Sequence, residues 1–148
     1  MGVAGHVFVV GAALFVVQIC LRLWFSVGMV LHADTLDPAT ARVLADIAAM
    51  WFPLQAVAAV LLAGPVVWAA RRGEFPQWMA LIAAVFAVEQ GVELLTVVGP
   101  VGSFIAPGGP MNVYLGGALY LLFGFALGLA VALPDPPAVV PGPEPIAD

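Results

Sequence analysis

Three charged side chains lie inside long apolar runs: Arg22, Glu89 and Glu93. In a hydrocarbon layer each costs at least about 2–3 kcal/mol near a helix centre, so such groups face a protein interior or a wet cavity and find partners there. Glu89 and Glu93 are four residues apart and share one helix face. Gln18, Arg22 and Ser26 repeat that spacing and form a polar stripe on the first apolar segment. At 1.5 Å rise per residue, Arg22 is expected about 20 Å from the inner membrane edge, Glu89 about 17 Å and Glu93 about 23 Å. The depths predict a lateral Arg–Glu contact, an intramembrane charge pair. One guanidinium cannot neutralise two carboxylates, and like charges about 6 Å apart in a low dielectric do not both stay ionised. Arg22 is therefore expected to pair with one Glu, and the second carboxyl to hold a proton or await a cationic ligand. Gln18 and Gln90 join these three as candidate ligand- or proton-binding residues, with Gln55, Tyr120 and Trp51 as hydrogen-bonding walls. The competing reading is structural: the pair locks helix packing and the surplus Glu bonds a Gln or a carbonyl.

Other chemistries find little support. Ser26 and Ser103 have no adjacent His–carboxylate set, so nucleophilic catalysis is not expected. There is no Walker, Rossmann or HExxH pattern. His32, Asp34 and Asp37 could ligate a divalent ion, but their spacing is generic and Asp37 reads as a helix cap. His6 and His32 sit near opposite ends of one segment and cannot clamp a haem within it. Cys20 is the only cysteine, which excludes an intrachain disulfide and a cysteine metal site. No metal and no cofactor is expected, and no catalytic residue is assigned.

The elements that position these groups follow from composition. The 148 residues are 64% hydrophobic and 9% charged, against about 45–50% and about 25% in an average soluble domain. A soluble fold of this size leaves too much surface exposed to hide that apolar fraction. A bilayer core needs about 20 apolar residues per helix, and four segments meet this: 6–31, 38–70, 77–98 and 111–133. The expected fold is all-α, an integral membrane four-helix bundle over residues 1–133, followed by a disordered, Pro-rich, acidic tail at 134–148. The first segment lacks a basic n-region and reads as a retained helix rather than a signal peptide. Asp37-Pro38 reads as an N-cap with Pro at the first helical position. The run from Arg71 to Pro76 reads as a polar turn. The second segment is longer than one crossing needs. Its first turns, carrying Arg42 and Asp46, are expected to project beyond the membrane, with Trp51 and Phe52 near the interface and a kink at Pro53.

The fourth segment carries Asn112, Gly116, Tyr120, Gly124, Gly128 and Ala132 at intervals of four. Gly116, Gly124 and Gly128 are candidate helix-packing residues, because small side chains let helix backbones approach closely. They are expected to pack within the chain or to form an oligomer or partner interface. The uncharged loop 99–110 is expected to lie in the interface or to fold over the bundle mouth as a lid. Arg71 and Arg72 favour the cytoplasm for their turn, which places both termini there in the cell membrane. The net charge of −5 and the absence of Lys exclude a nucleic-acid partner.

The functional expectation is a small non-enzymatic binding or accessory membrane protein, in the bilayer alone, as a homo-oligomer or within a larger membrane complex. The alternatives are a proton- or cation-coupled small-molecule carrier, and a membrane-embedded enzyme using one Glu as general acid or base on a lipid-like substrate.

Overall fold

A computed structural model describes residues 2–100 and 102–133, apart from the side chain of Val97. The expected tail at 134–148 lies outside the described residues. The chain forms α1 (Val3–Leu31), α2 (Pro38–Ala49), α3 (Trp51–Arg71), α4 (Gln77–Glu93) and α5 (Gly117–Ala132). A 3-10 segment, Leu94–Val98, extends α4, and a π-helical segment, Met111–Gly116, leads into α5. No strand occurs among the described residues. Four helical stretches are long and apolar enough to cross a membrane: Val3–Leu31, Pro38–Arg71, Gln77–Thr96 and Met111–Ala132. Their outward faces carry large apolar side chains such as Leu81, Leu121 and Phe125, a surface that suits lipid.

Local chemistry sets the breaks. Asp37 caps α2: its Oδ1 accepts the Ala39 and Thr40 amides at 3.0 Å each. Hydrogen bonds from the Thr40 hydroxyl and then the backbone amides hold the exposed Asp37 carboxyl below its ordinary pKa. Its contribution to α2 is full above the unfolded carboxylate pKa and fades as pH falls through the lowered folded value. Asp37→Ala is therefore expected to speed amide exchange at Ala39 and Thr40 at neutral pH. The difference from wild type should vanish in acid.

No residue of α2 is buried, as the long second segment predicts for a projecting start. The helix is interrupted at Met50, three residues before Pro53, whose ring blocks a bond to the carbonyl four back. At the other end Gly73 takes φ +77°, a left-handed turn that glycine adopts without strain, and it ends α3.

Neighbours in sequence pack as neighbours in space: α1 on α3, α3 on α4, and α4 on α5. The core is Ala59, Ala63 and Val66 of α3, Met79, Ala83 and Phe86 of α4, and Phe123 and Ala126 of α5. Small residues on α3 bring the backbones close, and Phe86 fills the centre. It stacks on Phe123 with ring centroids 4.6 Å apart and meets Tyr120 edge-on at 4.8 Å. The first helix buries one residue, Gly11. A Cβ there would lie 2.9 Å from both Leu61 C and Leu62 N. Pro65 cannot donate to the Leu61 carbonyl, so α1 crosses α3 where that backbone lacks its usual bond. Phe15 of α1 also stacks on Tyr120, centroids 5.4 Å apart.

The apolar loop 99–110 folds back onto the bundle. Gly108, at φ +69°, lies against Ala49 and Phe52, and Ala106 is buried. The Met111 amide donates to Phe104 O at 3.2 Å. The loop thus covers the end of the bundle where α3 begins and α4 ends.

Candidate functional site

One face of α4 is polar and buried. Phe86, Glu89, Gln90 and Glu93 follow helical spacing, and Thr96 continues the face into the 3-10 segment. Gln90 is fully buried, Glu93 and Thr96 are 1% exposed, and Glu89 is 9% exposed. The Gln90 side-chain amide donates to Glu89 Oε2 at 2.7 Å. The Thr96 hydroxyl donates to the Glu93 carbonyl at 2.6 Å, which ties the tightened turn to the α-helix before it.

The π-helical segment supplies the opposite wall. It buries Met111, Asn112 and Gly116. The Asn112 amide faces Glu93 and is 2% exposed, yet neither its Nδ2 nor its Oδ1 has a hydrogen-bond partner among the described residues. Gly116 lies against both acids: a Cβ there would overlap Glu93 Oε1, with Glu93 Cδ at 3.1 Å and Glu89 Oε1 at 3.4 Å. The two carboxyls therefore occupy the space that a side chain at 116 would fill. Tyr120, one turn further, donates to the Gln55 carbonyl at 3.4 Å.

Unpartnered atoms define the chemistry. Glu89 Oε1, Glu93 Oε1, Gln90 Oε1 and Asn112 Oδ1 are buried acceptors with no hydrogen-bond partner among the described residues. Buried polar groups are nearly always satisfied, and an unmet acceptor points to a missing water, ion or proton. Two adjacent carboxyls away from water need a positive partner, either a proton held between them or a cation. The arrangement is rich in oxygen and poor in donors, which suits a proton or a hard cation. No group of three or more His, Cys, Asp or Glu side chains is placed to hold a metal among the described residues. A cation would therefore rely on amide oxygens beside the two acids.

The expected Arg22–Glu pair is not formed among the described residues. The Arg22 guanidinium instead lies over the Phe52 ring, 3.9 Å from its centroid. The α1 helix packs on α3 rather than on α4, which leaves Arg22 beside Phe52 of α3.

The other candidates divide. Gln90 joins the acids, whereas Gln18 is half-buried on α1 with an unpartnered Oε1 and no hydrogen bond to them. Gly116 belongs to the acid site. Gly124 and Gly128 are exposed, with open space where a Cβ would stand, so neither packs against another helix of this chain. His32, Asp34 and Asp37 are all exposed. Asn112 and Thr96 were not expected at the site. Asn112 is the sole asparagine in the chain and lies in an apolar segment, a signal that could have marked it.

Fold and site together define a helical bundle of membrane-crossing length with a buried acid–amide cluster where two helices depart from α geometry. No protein-family model, curated protein or solved structure matches the chain.

Proposed function

We propose that this is a non-enzymatic multi-pass membrane protein that binds a proton or a small cation between Glu89 and Glu93. The carrying observation is the set of buried, unpartnered acceptor oxygens on Glu89, Glu93, Gln90 and Asn112. Aromatic side chains support the membrane placement. Trp24, Phe104 and Tyr114 are exposed towards one end, and Trp68 and Trp78 towards the other. Trp51 and Trp68 are about 26 Å apart along α3, close to the hydrocarbon thickness of about 30 Å. The site then lies inside the slab near one face. Arg71 and Arg72, both exposed at the opposite end, support the cytoplasm for that end and for both termini.

A binding role fits better than catalysis. Grooves of about 510, 560 and 370 Å³ are lined by other residues, so none of these three brings a lipid-like substrate to the acids. Coupled transport is the second reading, favoured by the paired helix irregularities. Discontinuous helices at the membrane interior are a recurrent way to form ion sites in carriers. The bare α5 backbone at Gly124 and Gly128 supports assembly with a helix of another subunit.

Infrared difference spectra of the purified protein in lipid discs test the binding reading. Raising pH, or adding sodium or potassium salt, is expected to remove a protonated-carboxyl band. Cation affinity should rise with pH, because the bound cation replaces the proton. Glu93→Gln and Glu89→Gln should each remove the band change and weaken cation binding at least about tenfold, the scale of one charged hydrogen-bonding partner. A wild-type protein whose spectrum ignores both pH and cations would rule the reading out.

A further inference from the structure

We infer that ordered water held by Ser103 and Asn112 joins the acid pair to the aqueous phase on the side of the loop 99–110, and that protons and cations reach Glu93 by this route. The route serves the proton- or cation-binding site proposed above and depends on that reading. Ser103 Oγ is buried and has no hydrogen-bond partner among the described residues. The same holds for Nδ2 and Oδ1 of Asn112, whose amide faces Glu93. One backbone bond brings the two residues to the same corner. The Met111 amide donates to Phe104 O at 3.2 Å, and Ser103 and Asn112 are the next residues on either side of that bond. The loop is also anchored beside the acids, because the Gly99 amide donates to Thr96 O at 2.9 Å, one turn beyond Glu93.

Hydrogen-bonding capacity selects water. A hydroxyl and a primary amide each both donate and accept. A proton or a bare cation would meet the oxygens and leave Asn112 Nδ2 without an acceptor. Water meets both needs, and a buried water makes about three hydrogen bonds to groups of this kind. The opposite direction is closed. On the other side of the acids, α4 buries Phe86, Ala83 and Met79, each at most 1% exposed. Phe86 stacks on Phe123 with centroids 4.6 Å apart. None of these side chains carries a hydroxyl, an amide or a charge, and apolar interiors stay dry. Polar groups therefore continue from the acids towards the loop and stop at Phe86.

Time-resolved infrared absorption can follow exchange of the carboxyl proton for deuterium when the full chain in lipid discs is mixed with heavy water. Ser103→Val should slow that exchange about tenfold, the loss of one hydrogen-bond partner of a buried water. Equilibrium sodium affinity should stay at the wild-type value, because Ser103 touches neither acid. Ser103→Thr keeps the hydroxyl and should exchange at the wild-type rate. Should Ser103→Val misfold, Ser103→Ala removes the hydroxyl without added bulk and should also slow exchange. Wild-type exchange in a folded Ser103→Val or Ser103→Ala protein overturns the route. So does equal slowing by Ser103→Thr, which would mark a packing effect. In either case a wild-type band that still responds to pH and sodium leaves the binding reading standing. A wild-type band that responds to neither removes the site and its route together.

Discussion

Alanine at position 116 is expected to leave the bundle folded and to abolish cation binding. The added methyl would occupy the place of Glu93 Oε1 and crowd Glu93 Cδ and Glu89 Oε1. The three nearest atoms all belong to flexible side chains, so the side chains can yield and the cost to stability is small. Glu93 must swing away from Glu89, and the oxygens that would share a positive charge then separate. A hard cation needs its oxygens at close, matched distances, so affinity should fall by about a hundredfold or more, the scale of losing one charged ligand and misplacing another. Gly117→Ala is the control. It adds the same methyl on the next residue, where nothing stands within 4 Å, and should leave binding unchanged. Cation titration followed by infrared absorption, together with thermal unfolding of each variant, distinguishes the outcomes. Full cation affinity in a folded Gly116→Ala protein would show that the gap beside Gly116 has no role in holding the ligand.

Much of the fold is legible in the sequence, and what is not has definite physical causes. The four long apolar helices follow from hydropathy and length, because a polypeptide backbone in lipid must satisfy its polar groups internally. Asp37-Pro38 marks the start of α2, since the cap is a local interaction within four residues. The shared face of Glu89 and Glu93 follows from spacing alone. Which helix they face does not: the Arg22 pairing failed because register and adjacency are set by Gly11 against Leu61 and Leu62, a contact between distant segments. The glycine stripe does not stay on one face of the helix, so Gly116 packs within the chain while Gly124 and Gly128 stand open. A four-residue interval overshoots one turn by about 40°, so a line drawn from Gly116 has drifted about 120° by Gly128 and points away from the core. The residues that follow the buried face are Phe123, Ala126 and Ala130. The π-helical turn at Met111–Gly116 has no local signature in the sequence. It widens the backbone just where Asn112 and Gly116 meet the acids, and such turns concentrate at functional sites.

The same close contact that sets the α1 register yields the prediction for stability. Gly11→Val should destabilise the bundle by about 1–3 kcal/mol, the range for forcing extra carbon into a packed contact. Here the obstructing atoms are backbone, 2.9 Å from the added Cβ, and α3 cannot yield without disturbing its own core face at Ala59, Ala63 and Val66. The α1 helix must retreat instead, since its remaining contacts with the bundle, through Phe8, Phe15 and Arg22, are made by side chains that are only partly buried. Its retreat would separate Phe15 from Tyr120 and Arg22 from Phe52, while the α3–α4–α5 core around Phe86 and Phe123 stays packed. Gly28→Val is the matched comparison, because position 28 has open space around it. Denaturation by an anionic detergent in mixed micelles should show a lower midpoint for Gly11→Val alone, with faster proteolysis confined to α1 and the loop that follows. Equal midpoints for the two variants would mean that α1 is held by something other than the bare backbone at Gly11. If the acid site keeps its cation affinity while α1 is loosened, the ligand is held by α4 and the π-helical turn alone, and α1 serves to position Tyr120 and Arg22.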